Sequence, residues 1–153
     1  MTIIKPAIKL IGISLGYKTT NENEKAMEDC GALWQQFGGS FVASKISGKL
    51  NNNIYAVYYD YDGDYTQPYA YFIGCPVTEN TAVPTGLESI TIPEQQYEIV
   101  TAKGQMPDCI ANAWRDIWKK NDANRAYGYD FEIYSEKSQD LNNAEVDIYI
   151  SMK

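Results

Sequence analysis

One order of parts occurs twice in this chain: a strand, a helix carrying tryptophan, then two more strands. Leu33-Trp34…Phe37 is echoed by Ala113-Trp114…Trp118, Ile54–Tyr59 by Tyr129–Tyr134, and Tyr69–Ile73 by Val146–Ile150. The offset stays between 75 (Ile54 to Tyr129) and 80 residues (Trp34 to Trp114), so modest insertions relate the halves. Such a duplication suggests an α+β fold of two similar units about a pseudo-twofold, each burying the other's sheet edge or face, the alternative being chance similarity between two α+β halves. A length of 153 residues suits one domain over residues 1–153, with the repeat at about 5–78 and 86–153. Two related halves leave a crevice where they meet, and such crevices are common ligand sites.

The local pattern supplies the parts. Residues 7–17 alternate as a strand. Thr19-Thr20-Asn21 is a cap signal for a helix over about 22–37, with Glu22 and Glu24 in its first turn. Ala26, Met27, Cys30, Leu33, Trp34 and Phe37 form its buried stripe, and Gly38-Gly39 stops it. Strands at 54–60 and 65–75 flank Asp62-Gly63, the preferred pair for a tight hairpin turn. Asp60, Asp62 and Asp64 also invite a calcium reading, but the glycine is misplaced for an EF-hand loop and its twelfth position is Tyr71. Short strands follow at 87–92 and 96–101, on either side of Pro93-Glu94. Pro107 and Asp108 open a second helix whose stripe is Ile110, Ala113, Trp114, Ile117 and Trp118. The three tryptophans on these stripes read first as core, with Trp118 placed to border a pocket mouth.

The strand Tyr127–Tyr134 carries the sharpest signal. Side chains alternate between faces, so Tyr129, Phe131 and Ile133 point one way and Asp130, Glu132 and Tyr134 the other. A carboxylate among aromatic residues is costly unless paired or solvated, which marks Glu132 as a residue that binds something. The alternative is an ordinary solvent-facing glutamate on a one-sided sheet. In the first repeat its counterpart is Val57 or Tyr58, so a symmetric scaffold would present an asymmetric site.

Composition narrows the chemistry. The absence of histidine removes His-dependent triads and imidazole metal sites. Cys30, Cys75 and Cys109 lack any CxxC spacing, so no metal site is expected and the thiols read as free and buried. A net charge of −7 disfavours nucleic acid as a partner. Thirteen tyrosines can furnish flat walls to a pocket, or simply populate strands. The N-terminal run carries Lys9 and lacks a signal-peptide pattern, and no stretch is long enough to span a bilayer. A cytoplasmic protein without membrane contact is expected.

Several segments in order resemble the effector-binding domain of AraC-type and multidrug-sensing bacterial transcription activators, together with stand-alone gyrase-inhibitory-protein-like members. They are Lys5-Pro6…Leu10-Ile11-Gly12, Tyr71-Phe72-Ile73-Gly74-Cys75-Pro76-Val77 and Gly86-Leu87-Glu88…Ile92-Pro93. Tyr97-Glu98-Ile99-Val100…Lys103-Gly104, Trp114-Arg115-Asp116-Ile117-Trp118, Asp130–Tyr134 and Val146–Ile150 complete the set. The resemblance implies a duplicated strand–helix–two-strand fold with a curved antiparallel sheet, two main helices and a central aromatic pocket for lipophilic, often cationic, small molecules. It places the pocket glutamate on Glu132 and a last-strand tyrosine on Tyr149, with Tyr58 and Tyr71 the candidates for the aromatic wall. Tyr134 shares a face with Glu132 and is either pocket wall or strand end. Residue 5 already begins the effector domain, so direct DNA binding is not expected.

These readings lead to non-catalytic binding of an organic cation, with Glu132 as countercharge and no cofactor. The resemblance also admits hydrolysis of reactive electrophiles with Glu132 as general base. A third alternative is an interaction module that signals to a separate regulator protein or inhibits gyrase.

Overall fold

Two prolines, Pro6 and Pro93, each interrupt a strand that would otherwise run on, and each break sends the leading segment to the opposite half of the molecule. Proline cannot donate to a sheet ladder and biases the residue before it, so strands end there. The computed structural model describes residues 2–153. In chain order the elements are β1 (Thr2–Lys5), β2 (Ile8–Ser14), α1 (Lys25–Gly39), α2 (Val42–Lys45), β3 (Ile54–Tyr59) and β4 (Ala70–Val77). The second half supplies β5 (Glu88–Ile92), β6 (Gln95–Gly104), α3 (Asp108–Lys120), β7 (Asp130–Tyr134) and β8 (Ala144–Met152).

All eight strands form one antiparallel sheet in the order β1-β6-β8-β7-β3-β4-β2-β5. The pseudo-twofold passes between β7 and β3, where Glu132 sits opposite Ala56. Each half contributes an outer strand (β2 or β6), a helix, and an inner pair. The leading strand of each half is exchanged: β1 pairs β6, and β5 pairs β2. The sheet curls into a half-barrel. At one point of the curl Gly12 faces Gly74, and a Cβ on Gly12 would lie 1.9 Å from the Ile73 carbonyl oxygen, so only glycine permits this approach.

The helices cover one sheet face. Leu33 and Phe37 of α1 pack on Ile11, Ile13, Ala56, Ile73 and Cys75, while Trp114 and Ile117 of α3 pack on Ala102, Ile148 and Ile150. The other face buries Leu10, Tyr55, Val57, Phe72, Tyr97 and Phe131 within the curl. The central strands β2, β3, β4 and β7 are therefore buried on both faces, whereas β1, β5 and β6 alternate with exposed positions.

Four local expectations change. Asp62-Gly63 does not make a tight hairpin: β3 and β4 pair only as far as Tyr59 with Ala70, and residues 60–69 form a long loop. That loop is held by the interior contacts of Tyr61 and Tyr69 rather than by its turn residues. Its aspartates serve the protein itself, since Lys18 bridges Asp60 (3.6 Å) and Asp62 (2.5 Å) and Asp64 accepts from Thr66. Glu22–Glu24 form a separate 3₁₀ turn ahead of α1 because Glu24 takes a left-handed φ of 60°. Gly38 and Gly39 lie inside α1, and the chain leaves through Phe41 at φ 53°. Met27, placed in the buried stripe by spacing, is 57% exposed.

Candidate functional site

The two helices do not meet across the centre of the sheet. Between them lies a chamber of about 620 Å³. Its floor is the helix-side face of the inner strands: Tyr58 of β3, Tyr71 of β4, and Glu132 and Tyr134 of β7. Cys30 and Trp34 of α1 form one wall, and Ile110, Trp114 and Trp118 of α3 the other. Tyr61, Tyr65 and Tyr69 of the long loop and Arg125 complete the lining. Met27 and Arg115 lie where α1 and α3 reach solvent, at the rim.

Glu132 sits on the floor, 1% exposed. The Tyr58 hydroxyl donates to its Oε2 at 2.7 Å, and the Trp114 indole Nε1 donates to the same oxygen at 2.5 Å. The Tyr134 hydroxyl donates to Oε1 at 2.5 Å. Among the described residues no lysine or arginine lies within ion-pair distance of it. Burial pushes its carboxyl above the ordinary glutamate value, and the three donors, Tyr134 first, pull it back only in part. Burial, seconded by the charge on Glu132, pushes the phenols of Tyr58, Tyr71 and Tyr134 well up, so all three remain O–H donors. The site is a buried carboxyl held by neutral donors and walled by rings.

Those rings hold one another. Tyr58 lies 5.0 Å from Tyr71 and 4.9 Å from Trp114, Trp34 meets Tyr134 edge-on at 4.9 Å, and Trp118 stacks on Tyr65 at 5.8 Å. The Trp34 Nε1 donates to the Tyr71 hydroxyl at 2.9 Å, which ties α1 to the floor. Such contacts are worth about 0.5–1.5 kcal/mol each beyond area burial, so the walls are pre-formed.

Beside Glu132 on the same strand and face is Asp130, fully buried and differently held. Its Oδ2 accepts from Arg125 Nη2 at 2.8 Å and from the Tyr61 hydroxyl at 2.8 Å, and its Oδ1 accepts from the Ser151 amide and hydroxyl. The Arg125 guanidinium, 3% exposed, lies over the Tyr127 ring at 4.2 Å.

The structure brings Glu132, Tyr58, Tyr71, Trp118 and Tyr134 to one chamber. Tyr149 is elsewhere. Register pairs it with Phe131, whereas Glu132 pairs with Ile148, so Tyr149 projects from the opposite face. There it stacks on Phe131 at 4.8 Å beneath Lys5 and borders a smaller polar cleft of about 370 Å³. The counterpart of Glu132 on the first inner strand is also resolved: Val57 faces the curl, and Tyr58 shares Glu132's face. The sequence reading put all three tryptophans in the core first; Trp114 is buried in the core and also faces the chamber, while the half-buried Trp34 and Trp118 line it. The i, i+4 pair Trp114 and Trp118 on one helical stripe was the visible signal for that wall. Tyr61 and Arg125 had no comparable signal, because loop residues carry no periodicity, and Tyr65 and Tyr69, read as strand residues, lie in the loop before β4. Among the described residues no cluster of three His, Cys, Asp or Glu side chains could hold a metal ion, and no helix is long and apolar enough to cross a membrane.

The family described as Cass2, integron-associated effector binding protein, matches residues 3–152. The chain belongs to it. The chain is 25% identical over 143 residues to YobU of Bacillus subtilis, a protein named for a transcriptional-regulator role, covering 91% of this chain and 89% of YobU. It is 30% identical over 131 residues to the transcriptional regulator BrlR of Pseudomonas aeruginosa, covering 78% of this chain but 45% of BrlR. Among solved structures, SAV2435 bound to tetraphenylphosphonium superposes with a TM-score of 0.80 at 18% identity, covering all of this chain and 93% of that one. The integron cassette protein VCH_CASS2 of Vibrio cholerae superposes at 0.71 with 23% identity, covering 99% and 95%. At these identities the structural likeness establishes the curled α+β fold that Cass2 members share.

Proposed function

We propose that this effector-binding chain takes up lipophilic organic cations in the aromatic chamber, without reaction, and that Glu132 supplies the countercharge. The observation that carries the proposal is a fully buried carboxylate whose three partners are all neutral. Taking a carboxylate out of water is expensive, and hydrogen bonds from neutral donors offset only part of that cost. A cation resting on the rings above Glu132 would neutralise it, with cation–π attraction of about 0.5–2 kcal/mol per face. The structural neighbour SAV2435, bound to the cation tetraphenylphosphonium, supports the same class. Flat walls with few directional groups suit tolerance of shape.

The general-base alternative asks Glu132 to take a proton from water. Burial makes Glu132 more basic than an ordinary glutamate. Its two oxygens already receive three donors, however, so most of the lone pairs that would take a proton from water are engaged, which favours binding over catalysis. A separate regulator protein, or gyrase, is the kind of partner that would read the occupied state.

The test is a tryptophan-fluorescence titration, since all three tryptophans line the chamber. Tetraphenylphosphonium and tetraphenylborate share one shape and opposite charge. Uptake of the phosphonium alone, weakened at least tenfold by Glu132→Gln, supports the proposal. Equal affinity for both ions, or indifference to the substitution, would overturn it.

A further inference from the structure

The exchange of β1 builds a cleft on the sheet face away from the chamber. Pairing with β6 carries Lys5, the last residue of β1, into the opposite half of the molecule. There its ammonium lies 4.8 Å from the Tyr149 ring centre and 5.9 Å from that of Phe131. Four charged side chains line the polar cleft of about 370 Å³ at this point: Lys5, Lys137, Glu145 and Asp147. None of the four pairs with another among the described residues. Glu145 meets Lys103, outside the cleft, at 3.7 Å, and Asp147 accepts through Oδ1 from the Thr101 hydroxyl at 2.9 Å. Neither Lys5 nor Lys137 has a carboxylate within ion-pair distance. Burial lowers the Lys5 ammonium below the ordinary lysine value, with no countercharge to raise it. Among the described residues, fully buried side-chain polar atoms without a partner occur on Arg125 alone. The unpartnered Lys5 ammonium and the unpartnered hydroxyls of Tyr55 and Tyr149 therefore keep accessible surface, and all three residues line the cleft.

We infer that this cleft is a second binding site, independent of the chamber, for a small zwitterion of the ω-amino acid type, its carboxylate on Lys5 and its ammonium on Asp147. Charge decides the class. A plain anion would meet Lys5 but face two carboxylates, and a plain cation would face two ammonium groups. A molecule carrying both charges matches both poles and leaves the cleft as neutral as it found it. The hydroxyls of Tyr55 and Tyr149 are free to donate to the ligand carboxylate beside Lys5. Spacing sets the length. Lys5 rests on Tyr149, and Asp147 lies two residues along β8 on the same face, a rise of about 7 Å. Ile133 pairs with Asp147 on one side and with Tyr55 on the other, so an apolar bed lies between the poles for the ligand's methylenes. An α-amino acid, with both charges on one carbon, spans too little of that distance.

The experiment titrates the isotope-labelled full chain and follows backbone amide shifts by NMR. Three probes are compared: 5-aminopentanoate, hexanoate (methyl in place of the ammonium) and pentylammonium (methyl in place of the carboxylate). The zwitterion should shift the amides of Lys5, Asn53, Asp147 and Tyr149 saturably, and bind about fivefold more tightly than either analogue, as one partly screened ion pair predicts. Lys5→Met keeps the apolar stem and should abolish the advantage of the zwitterion over pentylammonium. Asp147→Asn should abolish its advantage over hexanoate. Neither residue lines the chamber, and the amide spectrum away from the cleft reports whether each variant is folded. Hexanoate or pentylammonium binding as tightly as the zwitterion would overturn the inference, as would an advantage that survives both substitutions. Shifts confined to Trp34 and Trp118 would put the ligand in the chamber and overturn it too, and so would the absence of any shift. The wild-type comparison decides the matter even where a variant fails to fold, and none of these outcomes touches phosphonium uptake in the chamber.

Discussion

Asp130 and Glu132 stand two residues apart on β7, face the same way and are both buried, yet the protein treats them oppositely. Asp130 has an arginine, a tyrosine and two donors from Ser151. Glu132 has three donors and no cation. A carboxylate that the chain itself neutralises is part of the architecture: its arginine comes from the loop before β7, its serine from β8, and together they fasten the chain end to the sheet. On the proposed reading, a carboxylate left with neutral donors is a vacancy in the charge balance, available to a cation from outside. Burial is common to both acids; what separates them is the internal countercharge that Asp130 has and Glu132 lacks.

The largest effect should come from breaking the structural member of the pair. Asp130→Ala leaves Arg125 buried and unpaired, and should lower unfolding free energy by about 3–5 kcal/mol in urea titration. A loss under 1 kcal/mol would mean the two carboxylates do not differ as described.

Glu132→Gln should do the reverse, costing cation affinity at least tenfold without costing stability at neutral pH. The folded protein holds the Glu132 proton more tightly than the unfolded chain does. Stability from this group is therefore greatest below the ordinary value of 4.5 and falls as pH rises through the higher folded value. The Gln variant should melt above wild type at pH 8, and the gap should close toward pH 4.5. A gap that widens on acidification would reverse the assignment.

Wild-type affinity for tetraphenylphosphonium should fall on acidification about tenfold per pH unit below a midpoint that lies above 4.5. Tyr134→Phe sharpens the point, since removing the largest of the three stabilising bonds should move that midpoint upward by about one unit. The smallest effect belongs to Tyr149→Ala, which should leave phosphonium affinity within twofold because the ring lies on the far face of the sheet.

Much of the architecture was legible because alternation and helical spacing are local signals. The repeat, both main helices and the inner strands could be read from them. What failed depended on partners distant in sequence. Asp62-Gly63 has the composition of a tight turn, but Tyr61 reaching Asp130 and Tyr69 reaching Asn21 hold the loop open. Tyr149 followed from the resemblance, whereas its face is set by the register of β7 on β8, and a shift of one residue moves a side chain to the other side. Glu132 was legible because a charge among rings is an anomaly wherever it lies. Arg125 was not, since an arginine in the polar loop after α3 looks solvated until Asp130 is placed beside it.

The exchange of leading strands has a mechanical consequence. Because β1 is stitched to β6 and β5 to β2, neither half owns a complete sheet, and the halves cannot swing apart like the jaws of a clamp. The floor under the chamber is a single woven panel. Widening for a bulky guest would fall to α1 and α3, which meet the sheet through side-chain packing, while the backbone ladder below stays paired.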